Sequence, residues 1–296
     1  MPHLLDPFSS DFMLRALLGG TIVAAICGVV GTWVVIRGMA FLGEAVGHGM
    51  LPGVALATVV GAPVLLGGAV SAAAMSAAIG TLHRRGRLSY DTAIGLLFVG
   101  TLSLGVIIVS HSGSFATDAT ALLFGDILAL EDGDLVMLAI ALAVVVAIAI
   151  GFHRSFVVSA FDPRIAQTLG LHPAAAQVAL VGLVTVAVVA SYQAVGTLLV
   201  IGLLLAPVVA ANRWTRRIPT TMVLASVLGA LSVLIGLLVS WYAATAAGAS
   251  IACSAVLLAT LSALLRGALA LVLERTAEPT CADSSAPTPS YVERTL

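Results

Sequence analysis

The chain has 296 residues, of which 60% are hydrophobic and only 9% charged, and its mean hydropathy is +1.14. No water-soluble globular domain of this length approaches that composition, so a soluble protein is excluded. The formal net charge of -1 says little about partners, since in a membrane protein the positions of the cations matter more than their sum.

Apolar segments of the length that crosses a hydrocarbon core of about 30 Å recur along nearly the whole chain. The fold is therefore predicted to be an all-α polytopic membrane protein with about nine transmembrane helices, eight to ten being compatible with the pattern. We expect residues 1–13 outside the membrane, 14–266 within the transmembrane domain, and 267–296 as a disordered cytoplasmic tail. Charges, prolines and glycine clusters separate the predicted spans at 14–36, 44–60, 63–82, 92–110, 134–152, 175–192, 195–211, 220–241 and 246–265.

The arginines between the predicted spans fall on one side of the membrane, apart from Arg15. The positive-inside rule makes that side cytoplasmic, which puts the N-terminus outside and the C-terminus inside. The first apolar segment lacks a small-residue cleavage site, so we expect a multi-pass protein of the plasma (inner) membrane with no cleaved signal peptide. The cytoplasmic set is Arg37, Arg84, Arg85, Arg87, Arg154, Arg164, Arg213, Arg216, Arg217, Arg266 and Arg275.

Glu44 and His48 are ionisable residues in an otherwise apolar part of the chain. Four positions apart on a helix, they lie on one face. Such a pair is costly in a lipid-embedded segment unless it faces a cavity or a partner. The pattern therefore predicts candidate metal ligands on a transport path, the alternatives being a hydrogen-bonded histidine in helix packing and an interfacial carboxylate near Arg37.

Asp91 opens the fourth predicted span, where a carboxylate meets the positive end of the helix dipole. Helix capping is the favoured interpretation, and a direct role as a metal ligand is the alternative. Further along, residues 121–130 are apolar apart from Asp126 but too short to cross as a helix. We expect that segment to be interfacial or re-entrant.

Residues 161–172 are predicted to form a short helix on the cytoplasmic face. Asp162 suits the N-cap, Pro163 the first turn, and Gly170 a left-handed C-cap. Ile165, Ala166 and Leu169 would form an apolar side that needs a protein partner or the membrane surface. From the residues alone, an ordinary amphipathic linker explains the segment equally well.

The seventh predicted span is barely long enough to cross the membrane, and it contains Gly196 and Pro207 and follows Gln193 closely. Broken helices are tolerated in membranes only where protein or a water-filled cavity covers the backbone. The pattern predicts that these three residues belong to a broken helix lining the path.

Four motifs follow one another along the chain: 37–53, 91–95, 123–128 and 161–170. Their order resembles the membrane subunits of the zinc and manganese ABC importers, from about residue 12 to residue 266. The chain departs from that family at Glu44, where Asp is usual, and at Gly49, where Ala or a similar residue is usual. Glu keeps the carboxylate but adds a methylene, so the ligand type is retained while the coordination distances change.

The resemblance implies a type II ABC importer-like bundle and a permease subunit that moves Zn²⁺ or Mn²⁺ into the cytoplasm. It implies four further subunits and factors: a second copy of the chain, two cytoplasmic ATPase subunits and an extracytoplasmic metal-binding protein, with membrane lipid around them and no nucleic acid. No cofactor is expected to be permanently bound. By similarity to the family's coupling helix, the residues that would act on the ATPase are Asp162, Pro163, Arg164, Ala166, Leu169 and Gly170.

Two other transport functions and one class of enzyme are the rivals. An importer of the same architecture for a metal chelate, such as vitamin B12 or a siderophore, would need a wide and weakly polar cavity, and a stand-alone secondary transporter would leave the cytoplasmic helix without a task. An intramembrane metalloprotease would need His-Glu-x-x-His, which does not match Glu44 and His48. The chain has no Walker A sequence and no lysine, so ATP hydrolysis is expected in a separate subunit.

Overall fold

The computed structural model describes residues 10–85, 89–111 and 125–277, and these ranges contain helices and no strands. The prediction of an all-α membrane bundle is confirmed. Within these ranges, a 3-10 turn covers Ile127–Ala129. The helices are α1 Asp11–Ile36, α2 Phe41–Gly49, α3 Leu51–Val60, α4 Val64–Arg85, α5 Tyr90–His111, α6 Asp132–Gly151, α7 His153–Phe161, α8 Pro163–Thr168, α9 Pro173–Asn212, α10 Ile218–Ala243 and α11 Ala247–Ala277.

Eight helical segments in the described ranges are long and apolar enough to cross a membrane. They are Asp11–Ile36, Val64–Leu82, Asp91–Ile108, Asp132–Gly151, Pro173–Tyr192, Ala194–Asn212, Ile218–Ala243 and Ala247–Leu269. Helices α2 and α3 follow each other with only Met50 between them, and in tandem their length of about 30 Å supplies a ninth crossing. The break between them follows from Pro52, which has no N–H to donate to the preceding turn.

Gly196 interrupts α9 with φ 71° and ψ 166°, a conformation that only glycine adopts readily. The half of α9 that follows Gly196 runs beside α1. The thiol of Cys27 lies 3.8 Å from the carbonyl oxygen of Val200, and a Cβ atom built at Gly31 would lie 3.1 Å from Val208. This half of α9 therefore runs in the same direction as α1, towards the C-terminal end of α1.

The half of α9 that precedes Gly196 starts from the same end of the bundle. Arg37, which follows α1, donates a hydrogen bond of 3.2 Å from Nη1 to Oε1 of Gln177 near the start of α9. Both ends of α9 thus lie near the C-terminal end of α1, which a straight helix of 40 residues cannot do. The chain reverses at Gly196, and α9 forms two antiparallel crossings, as predicted by the separate spans 175–192 and 195–211.

Helix α1 lies at the centre of the bundle, packed against α6, α9 and α10. Its small residues permit this close packing, because Gly28 lies against Ser226 of α10 and Gly31 lies against the backbone of Leu204 in α9. Trp33, which is fully buried, fills the space between α1 and α7, with its ring centroid 5.1 Å from that of Phe156. These contacts fix α9 relative to the rest of the molecule.

Residues 125–130 form no transmembrane helix but lie against the bundle, as predicted, while residues 121–124 of the predicted segment lie outside the described residues. Ile127 and Leu130 are buried, at 2% and 5% exposure. Gly125, with φ +60°, lies directly against the Val195–Gly196 peptide. The segment therefore covers the point at which α9 reverses.

The two ends of the bundle differ in charge. The arginine end, defined by Arg37, Arg154 and Arg213, lies opposite the acidic end, defined by Glu131 and Asp132. Arg15, which departs from the arginine pattern of the sequence, lies at the acidic end, with its Nε 3.5 Å from Oδ1 of Asp132. This exposed ion pair adds little to the stability of the fold, but Asp132 neutralises the charge of Arg15.

Helix α11 continues to Ala277, so the predicted end of the transmembrane domain at residue 266 falls inside a helix. Arg266 marks the interface in the sequence, but a charged residue does not end a helix, and the Ala- and Leu-rich residues that follow have high helix propensity. In the structure Arg266 stacks over the ring of Trp214, with its Cζ 5.5 Å from the ring centroid. Residues 278–296 of the predicted tail lie outside the described residues.

Candidate functional site

Helix α2 presents Glu44 and His48 on one face, where both side chains are partly buried. The adjacent face carries Gly43 and Gly47, which lack side chains and so let α2 lie close to α9. A Cβ atom built at Gly43 would lie 2.8 Å from Cδ2 of Leu204, and one at Gly47 would lie 3.3 Å from Cγ2 of Thr197. The spacing of the glycines thus places the ionisable pair beside α9.

Helix α5 packs beside α2, next to His48. The ring of Phe98 in α5 lies 5.3 Å from the imidazole centroid at an interplanar angle of 81°, an edge-on contact. At the end of α2, the hydroxyl of Ser71 in α4 donates a hydrogen bond of 2.6 Å to the carbonyl oxygen of Gly49. The aromatic contact orients the imidazole, and the Ser71 bond satisfies a carbonyl that the α2–α3 break releases.

Within residues 10–85, 89–111 and 125–277, no group of three or more His, Cys, Asp or Glu side chains could hold a metal ion. Glu44 and His48 therefore offer two ligands per chain. A carboxylate and an imidazole suit zinc and manganese alike, and two protein ligands leave the remaining coordination positions open.

Asp91 lies in the first turn of α5, with an exposed side chain. Phe98, the residue beside His48, comes seven residues later, about 10 Å along the helix. The N-terminal end of α5 is capped by Ser89, whose Oγ accepts a hydrogen bond of 3.2 Å from the backbone N–H of Thr92. Asp91 thus lies where its charge favours the helix dipole, and the structure does not group it with Glu44 and His48.

The predicted broken helix has its break at Gly196, at the level of α2. Thr197 and Val188, from the two halves of α9, both lie within 3.7 Å of a Cβ atom built at Gly47. Pro207 is buried within the second half, where the backbone stays helical, and Gln193 lies in the helix just before the break. Of the three predicted residues, Gly196 thus lies beside the Glu44 and His48 helix, while the side chain of Gln193 lies outside the described residues.

The short helix predicted between residues 161 and 172 is present as α8. Oδ1 of Asp162 accepts a hydrogen bond of 2.7 Å from the backbone N–H of Arg164, as an N-cap does. At the other end Gly170 has φ +71° and donates to the Gln167 carbonyl at 3.0 Å, while Leu171 donates to the Ala166 carbonyl at 2.9 Å. This pair of bonds is a Schellman motif, which ends the helix at a defined residue.

An apolar surface on and beside α8 remains uncovered in the single chain. Phe161, Ile165 and Leu169 are 84%, 53% and 53% exposed, whereas Ala166 is fully buried against the bundle. The sequence predicted that Ala166 lies with Ile165 on the exposed apolar side of α8. In the structure Ala166 is buried instead. A cavity of about 410 Å³ lies next to this surface, lined by Gln167, Gly170, Leu171, His172, Pro173 and Ala174.

The residues that surround Glu44 and His48 on neighbouring helices could not be predicted from the sequence. Phe98 and Thr197 lie in apolar segments whose composition resembles every other span of the chain. Only the packing of α5 and α9 against α2 brings them to the site.

Residues 9–266 match the profile of a family described as the ABC 3 transport family. Two similar curated proteins are the manganese transport system membrane protein MntC of Listeria monocytogenes and the manganese import system permease protein ScaB of Streptococcus gordonii. The first is 35% identical over 240 residues, covering 81% of this chain and 85% of MntC. The second is 32% identical over 248 residues, covering 83% of this chain and 88% of ScaB.

A probable iron transport system membrane protein of Haemophilus influenzae is 30% identical over 248 residues, covering 84% of this chain and 91% of the relative. Among solved structures, PsaBC from Streptococcus pneumoniae in complex with Fab has a chain that superposes with a TM-score of 0.77 at 28% identity. That likeness covers 88% of this chain and 94% of the other.

Proposed function

Because the chain belongs to the ABC 3 transport family, we propose that it is the permease subunit of an ATP-binding cassette importer for a divalent transition-metal ion, zinc or manganese. The names of the relatives support transport of a metal ion, and manganese recurs among them. The chain itself catalyses no covalent step. ATP binding and hydrolysis in partner subunits bias it between outward-open and inward-open states.

The observation that carries this proposal is the placement of Glu44 and His48 on one face of α2, partly buried inside a bundle of apolar helices. Ionisable side chains at such a depth are costly unless they serve a path or meet a partner. A carboxylate oxygen and an imidazole nitrogen replace part of the hydration shell of a divalent cation. Two ligands bind it weakly enough for release, as permeation requires.

A homodimer around a central path would supply the ligands that one chain lacks. In a two-fold dimer the same surface of each subunit meets its counterpart, so two copies of Glu44 and His48 would face the same ion. That arrangement gives two carboxylates and two imidazoles, a set that fits zinc or manganese. Asp91, exposed at the arginine end, would then act on the helix dipole rather than on the ion.

Helix α8 is the proposed contact with the ATPase. Its exposed apolar residues need a partner surface, and its two defined caps keep it rigid enough to transmit force. By the positive-inside rule the arginine end faces the cytoplasm, where the ATPase subunits are. The acidic end then faces the opposite compartment and receives the ion from an extracytoplasmic metal-binding protein.

An importer of the same architecture for a metal chelate is the second candidate, supported by a relative named as a chelated iron transport system membrane protein, from Yersinia pestis. The Glu44 and His48 pair favours a bare cation, because a large organic chelate is better held by a wide and weakly polar cavity. Stimulation of the partner ATPase by the metal ion itself would distinguish an importer of bare ions from an importer of chelates.

The first prediction tests the site with the double variant Glu44→Ala, His48→Ala. We expect uptake of radioactive Mn²⁺ or Zn²⁺ to fall to background in cells lacking the native chain, because no ligand remains to replace the ion's water shell. The ATPase should still co-purify with the variant.

The matched control is Asp11→Ala, which removes an exposed carboxylate from the acidic end and should leave uptake unchanged. Normal uptake of both metals by the double variant would exclude Glu44 and His48 from the path. Uptake or ATPase stimulation by chelates alone would establish the second candidate instead.

A further inference from the structure

Two buried hydroxyl groups beside the break in α9 have no hydrogen-bond partner among the described residues. Ser191 is 0% exposed and Thr197 is 4% exposed, and neither Oγ makes a hydrogen bond there. Among the other buried serines and threonines of the described residues, Ser159 also lacks a partner, whereas Thr32 donates to the Gly28 carbonyl at 2.7 Å and Ser232 donates to the Leu228 carbonyl at 2.8 Å. An unpaired buried hydroxyl is rare in native structures, so these two groups have hydrogen-bonding capacity that the bundle itself does not use.

The break explains why Thr197 lacks the bond that helical threonines make. A threonine in a helix donates to the carbonyl one turn earlier, as Thr32 does. Thr197 is the first residue after Gly196, so the preceding turn belongs to the other half of α9 and runs in another direction. Its hydroxyl is left available for a ligand.

Thr197 lies against α2, the helix that carries Glu44 and His48, with its Cγ2 3.3 Å from a Cβ atom built at Gly47. The Cβ of Thr197 lies 3.7 Å from a Cβ atom built at Gly47, the residue that precedes His48. Val188 meets the same point from the first half of α9, also at 3.7 Å. Ser191 comes three residues after Val188 and shares its helix face, so it too is directed towards α2.

Tyr192, next to Ser191, adds a third hydroxyl whose oxygen is buried without a partner in the part of the chain that the structure describes. Three residues with unused hydrogen-bonding capacity thus lie within five positions of Gly196 along α9, and Thr197 among them contacts Gly47, next to His48. Oxygen ligands matter for the choice of metal. Mn²⁺ favours oxygen-rich, octahedral coordination, whereas Zn²⁺ favours four ligands with nitrogen and sulfur among them.

We propose that the hydroxyl groups of Thr197 and Ser191 supply oxygen ligands, directly or through a bound water, to the cation held by Glu44 and His48, and thereby favour Mn²⁺ over Zn²⁺. The proposal rests on the proposed function and adds a basis for its selectivity. A water between a hydroxyl and the ion serves the same end, because it keeps the coordination shell made of oxygen.

The test uses Thr197→Val, Ser191→Ala and the double variant, which remove the hydroxyls with little change of volume. Uptake of Mn²⁺ and Zn²⁺, supplied together at concentrations below saturation, is measured in cells lacking the native chain. For the double variant we expect Mn²⁺ uptake to fall roughly tenfold while Zn²⁺ uptake changes less than about twofold, as the loss of ligand hydrogen bonds and oxygens predicts.

Matched controls are Thr32→Val and Ser232→Ala, the same substitutions at buried hydroxyls that bond within their own helices. They should leave the ratio of Mn²⁺ to Zn²⁺ uptake at its wild-type value. Thr197→Ser keeps the hydroxyl and should restore the wild-type ratio even if Thr197→Val lowers the amount of folded protein.

An unchanged ratio in the double variant, or an equal loss of both metals, would overturn the proposal while leaving Glu44 and His48 as the transport site. A Thr197→Ser variant with the same altered ratio as Thr197→Val would overturn it too. If the wild-type chain carried neither ion, both this proposal and the proposed function would fail.

Discussion

At the scale of single residues, the contact between Gly125 and Gly196 holds residues 125–130 against the reversal of α9. A side chain at Gly125 would meet the backbone of Val195 and Gly196, and the backbone there has φ +60°. Both facts require glycine, since other residues resist this conformation and there is no room for a Cβ atom. The loop and the break are therefore one structural unit.

The variant Gly125→Ala should destabilise the protein by about 2 kcal/mol or more, because overpacking and a strained backbone each cost about 1–3 kcal/mol. The measurement is the midpoint of thermal unfolding in detergent, with metal uptake in cells as a second readout. Gly133→Ala is the control, since nothing lies within 4 Å of a Cβ atom there. Equal midpoints for the two variants would contradict the packing described.

Some residues of the candidate site could be predicted from the sequence and others could not, for physical reasons. Glu44 and His48 stood out because charge is scarce in the chain and their spacing is local, so the face they share follows from helix geometry alone. Thr197 and Ser191 have ordinary neighbours in the sequence. Their significance depends on which helix packs against α9, and a single sequence does not contain that information.

At the scale of elements, α8 is short but sharply bounded, and Ala166 fastens it to the bundle with no exposed surface. Its capping residues could be predicted because N-caps and glycine C-caps depend on local backbone chemistry. Which side of α8 faces the bundle could not be predicted. A helix of about two turns has too few residues for a periodic pattern to assign its buried face.

We expect Ala166→Asp and Gly170→Pro to uncouple ATP hydrolysis from transport. The first places a carboxylate in a buried position, and the second removes the N–H that bonds to Gln167 and the positive φ that ends α8. Metal uptake should fall about tenfold or more while ATPase activity of the purified complex stays within about twofold, as expected for a displaced coupling element.

The control for this pair is Ala175→Asp, an exposed position in the first turn of α9 where an acidic residue is favoured by the helix dipole. Uptake and ATPase activity should both match the wild type. If Ala166→Asp and Gly170→Pro also kept uptake and hydrolysis in step, α8 would have no part in coupling.

At the scale of the whole molecule, the nine crossings within the described residues, with arginines at one end, define the topology. The number of crossings followed from hydropathy, and the separation of the two halves of α9 followed from Gly196 and its neighbours. The end of α11 could not be predicted from the sequence, because the Ala- and Leu-rich residues after Arg266 continue the helix and no residue there marks a stop.

The orientation can be checked with single cysteines in a variant that lacks Cys27, Cys253 and Cys281. A membrane-impermeant maleimide should label Ala62→Cys in intact cells, because that exposed loop between α3 and α4 lies at the end opposite the arginines. It should label Arg216→Cys only after the membrane is permeabilised. The reverse pattern would invert the topology, and the cysteine-free chain gives the background.

The reversal at Gly196 has a mechanical consequence for the connection between the two ends of the molecule. Four residues, 169–172, join α8 to the start of α9, and the first half of α9 then runs as one helix of about 34 Å to the break beside α2. A displacement of α8 would thus reach the Gly196 break through one linker of four residues and a single uninterrupted helix.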